Sequence, residues 1–479
     1  MDKIIRPNLN SARKRTTNET RTVEYIGNEN IKDIGVGKKY LIQTHGCQAN
    51  EADTEVIRGL LENQGFTSTI ILEEADLVLI NTCAIRENAE NKVFGELGRL
   101  VSYKRINKDM IIAVAGCMPQ EESVVEKILK TYPHVDIVFG THNINKFIEY
   151  LNYVMKEKKQ IIEVYSNEGE IIEHLPQARE NRFKAWVNIM FGCDEFCTYC
   201  IVPYTRGKER SRQKEYIIEE VKDLIEKGYQ EITLLGQNVN SYGLDFTSNK
   251  YDFADLLDEL AKMGVPRIKF TTSHPKDFSD KLIDVIARYD NIMPFIHLPV
   301  QSGSNNVLKR MNRKYTKEQY LNLVERIYAK IPNVSITTDI IVGFPGETHE
   351  DFLETMDLVE KSRFEGAYTF IYSPRKGTPA ATYKDTVDQD EAKQRLYALN
   401  DLVNEGYLRG NKRFENKTVK VLVEGYSKTK ESVLSGYTEN NKLVNFLGDE
   451  SLIGNIIEVF IEKAKTWSLD GKIVKTGEK

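Results

Sequence analysis

The residues best spaced for chemistry are three cysteines, Cys193, Cys197 and Cys200, in the segment FGCDEFCTYC. We call them the loop trio. Three thiolates suit an iron–sulfur cluster in which one iron has no protein ligand. An open iron can bind a small molecule and pass it an electron, whereas a cluster held by four cysteines mainly transfers electrons. The spacing therefore favours an enzyme that does redox chemistry.

The loop trio could instead form a disulfide, bind zinc or pack in a core as small hydrophobes. The polar N-terminus and the lack of a long apolar run predict no secretory signal and no membrane span. We therefore expect a cytoplasmic protein, and a reducing compartment disfavours disulfides. Zinc stays open, although a structural zinc site normally needs four ligands and no histidine lies near residues 193–200.

The other three cysteines, Cys47, Cys83 and Cys117, are far apart in the sequence, and we call them the strand-end trio. They follow the apolar runs YLIQTHG, LVLINT and IIAVAG, each at or just beyond the end of a predicted buried strand. Lone cysteines usually belong to a core. However, the carboxyl ends of parallel strands meet at one edge of a sheet, where such folds bind ligands. The repeated placement predicts a second three-thiolate cluster, also with an open iron.

The elements that must position these cysteines predict an α/β chain with three folded units. Residues 1–37 are polar and are expected to form a flexible extension. Over residues 38–156, apolar runs alternate with amphipathic segments, which is typical of a parallel α/β sheet domain. Six larger strand-and-helix units follow over residues 179–411, and closely spaced short strands over residues 412–476 predict a small antiparallel, OB-like β-barrel.

The hydrophobic share of 41% is that of an ordinary globular protein. The net charge of −5 does not indicate a nucleic-acid partner. A local basic surface is nevertheless enough to bind RNA. The stretches 204–214 and 309–314 are candidates, although charge runs are more often solvated faces. The C-terminal module offers further basic and aromatic candidates, some of which we expect in its core. These are Lys420, Lys442, Lys463, Lys465, Tyr437, Phe446 and Trp467.

The loop trio, with Tyr199 before its last cysteine, resembles the signature of the radical S-adenosylmethionine (SAM) enzymes. The resemblance implies a [4Fe–4S] cluster whose fourth iron binds SAM, electron transfer to the sulfonium, and release of a 5′-deoxyadenosyl radical. It implies that the adenine of SAM lies near Tyr199. The core fold of this family, an open (β/α)6 partial barrel, fits the count of six strands.

Polar and small segments follow the predicted strands of this barrel. We expect Gln237, Ser273 and Gln301 to line the SAM and substrate pocket, and Gly343 to Glu347 to approach the cofactor, since glycine permits close contact. Gly and Pro at such places also simply make turns. His274 and His297 could act as acid or base, or could be hydrogen-bonded structural residues, and we assign neither a catalytic role.

The order of the parts resembles the methylthiotransferases, which combine an N-terminal three-cysteine domain, a radical SAM barrel and a C-terminal TRAM domain. Several long motifs look like the branch that modifies tRNA. They are HGCQAN, NTCAIRENAE, GCMPQ, CTYCIVPYTRG, GQNVNSYG and HLPVQSGS. The chain departs from that branch in having Ala49 where methionine is more usual, and in its acidic Asp194 and Glu195, but no cysteine is lost.

This resemblance implies two [4Fe–4S] clusters, one on each trio, and SAM as cofactor. One SAM would supply a methyl group to sulfur on the strand-end cluster, and a second would supply the radical. The product would carry a methylthio group at carbon 2 of N(6)-isopentenyladenosine beside the tRNA anticodon. A radical is needed because side-chain bases do not usefully deprotonate such a carbon near neutral pH.

We expect the tRNA anticodon loop and an electron donor of the flavodoxin or ferredoxin type as partners, and a monomer. The sulfur donor and the set of tRNAs stay open. One alternative is a sister methylthiotransferase that acts on threonylcarbamoyl-adenosine or on a ribosomal-protein aspartate. Two more are an RNA-binding module with structural metal only, and a radical SAM enzyme whose second cluster only transfers electrons.

Overall fold

The computed structural model describes residues 3–13, 20–84, 87–247, 250–428 and 430–474. They form a parallel sheet unit, a partial barrel and a small closed barrel, so the predicted α/β fold class is confirmed. Within these ranges, no helix combines the length and apolar character needed to cross a membrane.

The first unit is a parallel sheet covered by helices. Its elements are β1 Lys3–Ile5, α1 Leu9–Arg13, β2 Thr22–Glu24, β3 Lys39–His45, α2 Gln48–Glu62, β4 Thr67–Ser68, β5 Leu77–Thr82, α3 Glu87–Ile106, β6 Ile111–Gly116, α4 Glu122–Thr131, β7 Ile137–Phe139, α5 Phe147–Glu157, β8 Ile161–Glu163 and β9 Ile171–Glu173. The order in the sheet is β1-β8-β7-β6-β5-β3-β4. Every residue of β5 is buried, because Leu77 and Leu79 pack on one face while Val78 and Ile80 pack on the other. A continuous apolar run is typical of a parallel strand with both faces covered.

The N-terminal segment differs from the flexible extension that we expected over residues 1–37. β1 pairs in parallel with β8 at the edge of the sheet, and β2 pairs with β9. The Arg13 guanidinium donates to the Gly377 carbonyl at 2.5 Å, so this segment also reaches the second unit. Its apolar residues are too few to predict strands from periodicity, and the pairing depends on partners far along the chain. Residues 1, 2 and 14–19 of the expected extension lie outside the described ranges.

The second unit is the partial barrel. Its elements are β10 Lys184–Asn188, β11 Met190–Phe191, α6 Val202–Thr205, β12 Arg210–Ser211, α7 Lys214–Glu226, β13 Glu231–Leu235, α8 Phe253–Lys262, β14 Arg267–Thr271, α9 Asp280–Arg288, β15 Phe295–His297, α10 Asn305–Arg310, α11 Lys317–Lys330, β16 Ser335–Val342, α12 His349–Ser362, β17 Ala367–Ile371 and α13 Gln389–Lys412. β10-β13-β14 and β15-β16-β17 are parallel sheets, and a bridge between Ile268 and Ile292 joins them. Among the described strands β10 and β17 do not pair, so the six strands form an open barrel.

The third unit is a closed barrel of five strands. They are β18 Thr418–Ser427, β19 Lys430–Thr438, β20 Leu443–Leu447, β21 Ile456–Ala464 and β22 Leu469–Ile473. The order is β18-β19-β20-β22-β21, and the one departure from the expected antiparallel pattern in these residues is the parallel pairing of β20 with β22. Val421, Leu434 and Val459 lie in its apolar interior.

The closed barrel docks on the amino ends of the partial-barrel strands. Arg267, the first residue of β14, donates to the carbonyls of Lys420 and Tyr437 at 2.9 and 2.8 Å. The buried Lys442 ammonium lies 2.9 Å from a Glu365 carboxylate oxygen just before β17. The carboxyl ends of the same strands, where parallel barrels carry their sites, face the sheet unit instead.

Candidate functional site

The loop trio lies at the carboxyl end of β10, between β11 and α6. Burial raises the pKa of Cys193, and burial followed by the neighbouring Cys197 charge raises the pKa of Cys200 to about 12. Burial therefore opposes the thiolate forms of Cys193 and Cys200, which need positive charge beside them. A metal centre supplies that positive charge and deprotonates coordinating thiols outright. The donor set therefore fits an iron–sulfur cluster.

A distant part of the chain holds the loop trio in shape. The Asn312 amide donates to the Phe196 carbonyl at 2.9 Å, and Thr198 N–H donates to the Met311 carbonyl at 3.0 Å. The Arg313 guanidinium lies 3.4 Å from the Cys197 sulfur and also donates to the Pro299 carbonyl at 2.9 Å. Hydrogen bonds to cluster sulfurs are one of the means by which a protein tunes such a centre.

The two basic stretches that we considered as RNA surfaces are largely structural. In the stretch 309–314, Arg310 bonds the Pro345 carbonyl and Asp385, so of its basic side chains only Lys309 and Lys314 are exposed. In the stretch 204–214 the arginines are buried. They pair Arg206 with Asp53, Arg210 with the Gly169 carbonyl, and Arg212 with Glu173 and Glu220.

The strand-end trio comes together at one edge of the sheet. β5 lies between β3 and β6, and the register pairs His45 with Thr82 and Thr82 with Gly116. Cys83 N–H donates to the His45 carbonyl at 2.9 Å, and Cys117 N–H donates to the Thr82 carbonyl at 2.8 Å. These bonds align the three strand ends, so residues far apart in sequence become neighbours.

Electrostatic contacts connect the three sulfurs. A hydrogen bond from Cys83 is the largest influence on Cys47 and lowers its pKa to about 5, with help from the Arg206 charge. Burial raises the pKa of Cys117, while Arg206 opposes that effect. A low-pKa thiol beside two further thiols and a cation is a suitable metal-ligand set.

Two buried amides support the strand-end trio. Asn81 on β5 is fully buried and donates to the Asn50 carbonyl at 2.8 Å and to the Thr54 hydroxyl at 2.9 Å. The Asn50 side-chain oxygen accepts from Cys47 N–H at 3.3 Å. Sequence reasoning missed this pair, although both asparagines flank cysteines in the motifs HGCQAN and NTCAIRENAE.

The two trios meet across one apolar cluster. Cys117 packs with Ile201 and Tyr204, which follow the loop trio, and Phe196 of the loop packs against the same cluster. Beside it, the Thr271 hydroxyl at the end of β14 donates to the Gln48 side chain at 2.9 Å. The carboxyl edges of the sheet and of the partial barrel therefore face each other.

The predicted SAM-pocket residues follow successive barrel strands at this same edge. Gln237 follows β13, Ser273 follows β14, Gln301 follows β15 and Gly343 follows β16. Gln301 has a positive φ of 70°, and its backbone bonds Asp339 and Ile341 in β16. Their roles toward a cofactor stay predictions.

Glu347 and Tyr199 have protein partners. The Glu347 carboxylate accepts from Gly343 N–H at 2.9 Å and from Arg395 at 2.5 Å, which closes the glycine-rich turn. Gly343 has φ of 69°, and a side chain there would meet Ala392 at 2.8 Å. The Tyr199 ring packs edge-on against Phe344 at 6.5 Å, so it lies beside this turn.

Several buried polar atoms beside β13 and β14 have no hydrogen-bond partner in the described residues. They are Asn238 Oδ1, both side-chain amide atoms of Asn240, Ser273 Oγ and His274 Nε2. Buried polar atoms are nearly always hydrogen-bonded, so such a group indicates a polar ligand. The amino and carboxylate groups of SAM fit this requirement. Sequence reasoning named Ser273 but missed Asn238 and Asn240, although their segment GQNVNSYG stood out as a motif.

The two histidines differ in their surroundings. Burial, with the charges of Arg313 and Lys276, lowers the pKa of His274 to about 2, so its ring is neutral. Its Nδ1 accepts from Lys276 N–H at 3.2 Å. His297 lies in the barrel with Nδ1 3.0 Å from the Thr337 hydroxyl and Nε2 3.4 Å from Asp339. Both have structural contacts, and acid–base roles stay unassigned.

Comparison with known proteins agrees with this architecture and places the chain in the radical SAM class. Residues 187–359 match the radical SAM superfamily, and residues 412–474 match the TRAM domain. Residues 39–140 match the family described as "Uncharacterized protein family UPF0004". A solved radical S-adenosylmethionine methyltransferase, TsrM, from Kitasatospora setae covers 72% of this chain and 77% of its own with a TM-score of 0.53 and 14% identity, which shows the fold alone.

Curated relatives give the finer assignment. Proteins named tRNA-2-methylthio-N(6)-dimethylallyladenosine synthase are 57% identical over 470 residues in Oceanobacillus iheyensis and 55% identical over 471 residues in Bacillus subtilis. The alignments cover 98% of this chain and 91% and 92% of those relatives. The chain belongs to this family of radical SAM methylthiotransferases.

Proposed function

We propose that the chain inserts a methylthio group at carbon 2 of N(6)-isopentenyladenosine beside the tRNA anticodon. The observation that carries this proposal is the meeting of two cysteine trios at facing edges of the sheet and the partial barrel. One catalytic trio alone would support radical chemistry. A second trio beside it supports a reaction that also needs sulfur.

We propose that each trio holds a [4Fe–4S] cluster and that SAM binds beside the loop trio. When bound, these groups supply a radical that attacks an unreactive C–H bond, together with sulfur and a methyl group. The residues of the chain arrange the site. Ile201 and Tyr204 cover Cys117 and exclude water, and Arg313 orients Cys197.

The polar atoms beside β13 and β14 supply the SAM contacts in this proposal. Ser273 and His274 offer a hydroxyl and a ring N–H. Asn238 offers its side-chain oxygen, since its amide nitrogen donates to Asp277, and Asn240 offers both amide atoms, all in buried positions. Gln237, Gln301 and the turn from Gly343 to Glu347 line the remaining edge, with Tyr199 beside that turn. A neutral His274 can donate from Nε2 because its Nδ1 already accepts a hydrogen bond.

The closed barrel supplies the RNA surface in this proposal. Lys442, Phe446 and Tyr437 are core or docking residues, since Phe446 is buried in the barrel and Tyr437 lies beside Lys184. In contrast, Lys463, Lys465 and Trp467 are exposed, and the Trp467 side chain is 70% exposed. Lysines with an exposed aromatic suit phosphate contact and base stacking.

The position of this surface restricts how tRNA binds. The closed barrel lies at the amino ends of the barrel strands, and the trios lie at the carboxyl ends. β10 has five residues and β16 has eight, so the two ends of these strands are about 17–26 Å apart at roughly 3.3 Å per residue. A tRNA bound to Trp467 therefore runs along the outside of the partial barrel, and its target base is splayed from the loop into the site.

We further propose an electron donor of the flavodoxin or ferredoxin type, a monomer and a cytoplasmic location. The predicted domains 38–156, 179–411 and 412–476 are the functional units in this proposal, with residues 475 and 476 outside the described ranges. The matches to family descriptions over residues 39–140, 187–359 and 412–474 support this division.

The test is nucleoside mass spectrometry of tRNA from a bacterial strain that lacks its own methylthiotransferases and expresses this chain. We expect 2-methylthio-N(6)-isopentenyladenosine with the wild type and its precursor with Cys83→Ala. A methylthio group on threonylcarbamoyl-adenosine, or on a ribosomal protein, would replace the proposed substrate. SAM cleavage without any methylthio product would mean that the second cluster only transfers electrons, and no SAM cleavage would leave only a structural role for the metal.

A further inference from the structure

Arg206 connects the loop trio to the strand-end trio. It follows α6, six residues after Cys200, and is 7% exposed. Its guanidinium Nη2 donates to Asp53 Oδ2 at 2.6 Å. Asp53 lies on α2, which begins directly after Cys47. One ion pair therefore joins the chain that follows one trio to the helix that follows the other.

The Arg206 guanidinium lies on the side of the strand-end trio, because Tyr204, two residues before it, packs with Cys117. Its positive charge lowers the pKa of Cys47 and opposes the rise in the pKa of Cys117. Its backbone is anchored because Arg206 N–H donates to the Val202 carbonyl at 2.9 Å. The adjacent Thr205 carbonyl accepts from the Thr141 hydroxyl at 2.7 Å. The cation is thus held in place and is not a mobile surface side chain.

A buried cation must have a role that offsets the cost of its desolvation. The ion pair with Asp53 offsets part of this desolvation cost. However, a guanidinium has five N–H donors, and Asp53 accepts from one of them. A cluster on three thiolates is anionic, and a nearby cation stabilises its more negative, reduced state more than its oxidised state. Net charge and hydrogen bonds to sulfur are known determinants of cluster potential.

The loop trio shows the same arrangement with a different arginine. Arg313 lies 3.4 Å from the Cys197 sulfur. That residue comes from the segment after α10, within the same partial barrel. The strand-end trio has its arginine from the neighbouring unit instead, so the charge beside it is present only when the sheet and the partial barrel are docked.

A cavity of about 550 Å³ lies beside the ion pair. It opens between the sheet unit and α7, and both Asp53 and Arg206 line it. The Asp53–Arg206 pair is therefore part of the wall of this cavity.

We propose that Arg206 is a positioning residue for the second cluster, in which its guanidinium, oriented by Asp53, raises the reduction potential of the cluster on Cys47, Cys83 and Cys117. The proposal rests on the function proposed above, because it requires a cluster at the strand-end trio. In this proposal, Arg206 of the partial barrel supplies a positive charge to the metal centre of the sheet unit.

The experiment uses the full-length chain with Cys193, Cys197 and Cys200 changed to Ala, so that one cluster gives the electron paramagnetic resonance signal. After anaerobic reconstitution, a potentiometric titration measures the midpoint potential. In Arg206→Met, we expect the ratio of reduced to oxidised cluster at the original midpoint to fall about tenfold, which is about 59 mV for one electron. Arg206→Lys keeps the positive charge, so we expect its midpoint potential to stay close to that of the chain with Arg206.

Arg212→Met is the matched control. Arg212 is also buried and is paired with Glu173 and Glu220, and its described contacts include no cysteine. We expect the same loss of folding stability and an unchanged potential. Asp53→Asn removes the opposing carboxylate and should raise the potential.

Each outcome decides between the two proposals. If Arg206→Met binds a full complement of iron and its midpoint potential equals that of Arg212→Met, the proposed role of Arg206 is wrong. If Arg206→Met does not retain iron, the test passes to Asp53→Asn, and an unchanged potential there contradicts the proposal. If the background with Arg206 intact binds no iron, the proposed function fails and the inference falls with it.

Discussion

The two cysteine trios reach similar donor sets by opposite routes. The loop trio is contiguous in sequence, but its shape depends on Asn312 and Arg313, more than a hundred residues away. The strand-end trio extends from Cys47 to Cys117, but its geometry comes from the register of three stiff parallel strands. A local motif therefore still needs distant support, and a dispersed motif can be well ordered.

The sharpest way to test this comparison is to remove each trio in turn. Each cluster holds four irons, so we expect about eight irons per chain in the wild type and about four after either triple Ala substitution. Loss of Cys193, Cys197 and Cys200 should abolish SAM cleavage. Loss of the strand-end trio should leave SAM cleavage and abolish the methylthio product. Iron and sulfide analysis with a SAM-cleavage assay measures both, and loss of all iron from either variant would contradict independent sites.

A smaller effect tests the amide support of the strand-end trio. Asn81→Ala leaves buried groups unsatisfied, at a cost of about 1–3 kcal/mol each. We expect a lower melting temperature and faster loss of iron to a chelator from the strand-end trio, with the loop trio unchanged.

The control for this variant is Asn291→Ala. Like Asn81, the Asn291 amide donates two hydrogen bonds, here to the carbonyls of Ala261 and Val265, both at 2.9 Å, near the amino end of β14. Asn291→Ala should lower the melting temperature without faster loss of iron to the chelator. Equal rates of iron loss in the two variants would show that Asn81 only stabilises the fold.

The smallest expected effect concerns Glu55 on α2, the helix behind the strand-end trio. Burial raises its pKa to about 7 despite the Arg179 guanidinium 3.2 Å away. Because the folded pKa lies above the unfolded value near 4.5, the folded state holds a proton that the unfolded state releases. The stability contributed by this proton is full below about pH 4.5 and is lost as pH rises through about 7.

Glu55→Gln should remove that pH dependence. Relative to the wild type, the variant should gain stability between about pH 5 and pH 8, by at most about 3 kcal/mol. Thermal unfolding under anaerobic conditions at pH 5 and pH 8 measures the difference, with Glu354→Gln at an exposed carboxylate as control. An equal gain in the control would show that the effect is not specific to the buried site.

Sequence reasoning predicted the fold better than the contacts of single polar residues. The strands at Cys47, Cys83 and Cys117, the six-stranded partial barrel and the closed C-terminal barrel are confirmed. In contrast, the basic stretches around Arg206 and Arg313 are internal supports. The alternation of apolar residues reveals a strand, but it does not reveal which charged side chain a distant unit will cover.

The amino-acid sequence by itself determined the spacing of the loop trio and the alternation of strands and helices, because these depend on neighbours a few residues away. Only the tertiary structure decided that Arg206 faces the strand-end trio, that Asn81 supports it and that Lys442 is buried while Trp467 is exposed. Burial and charge pairing depend on contacts between segments far apart in the chain, and no local pattern records which segments will meet.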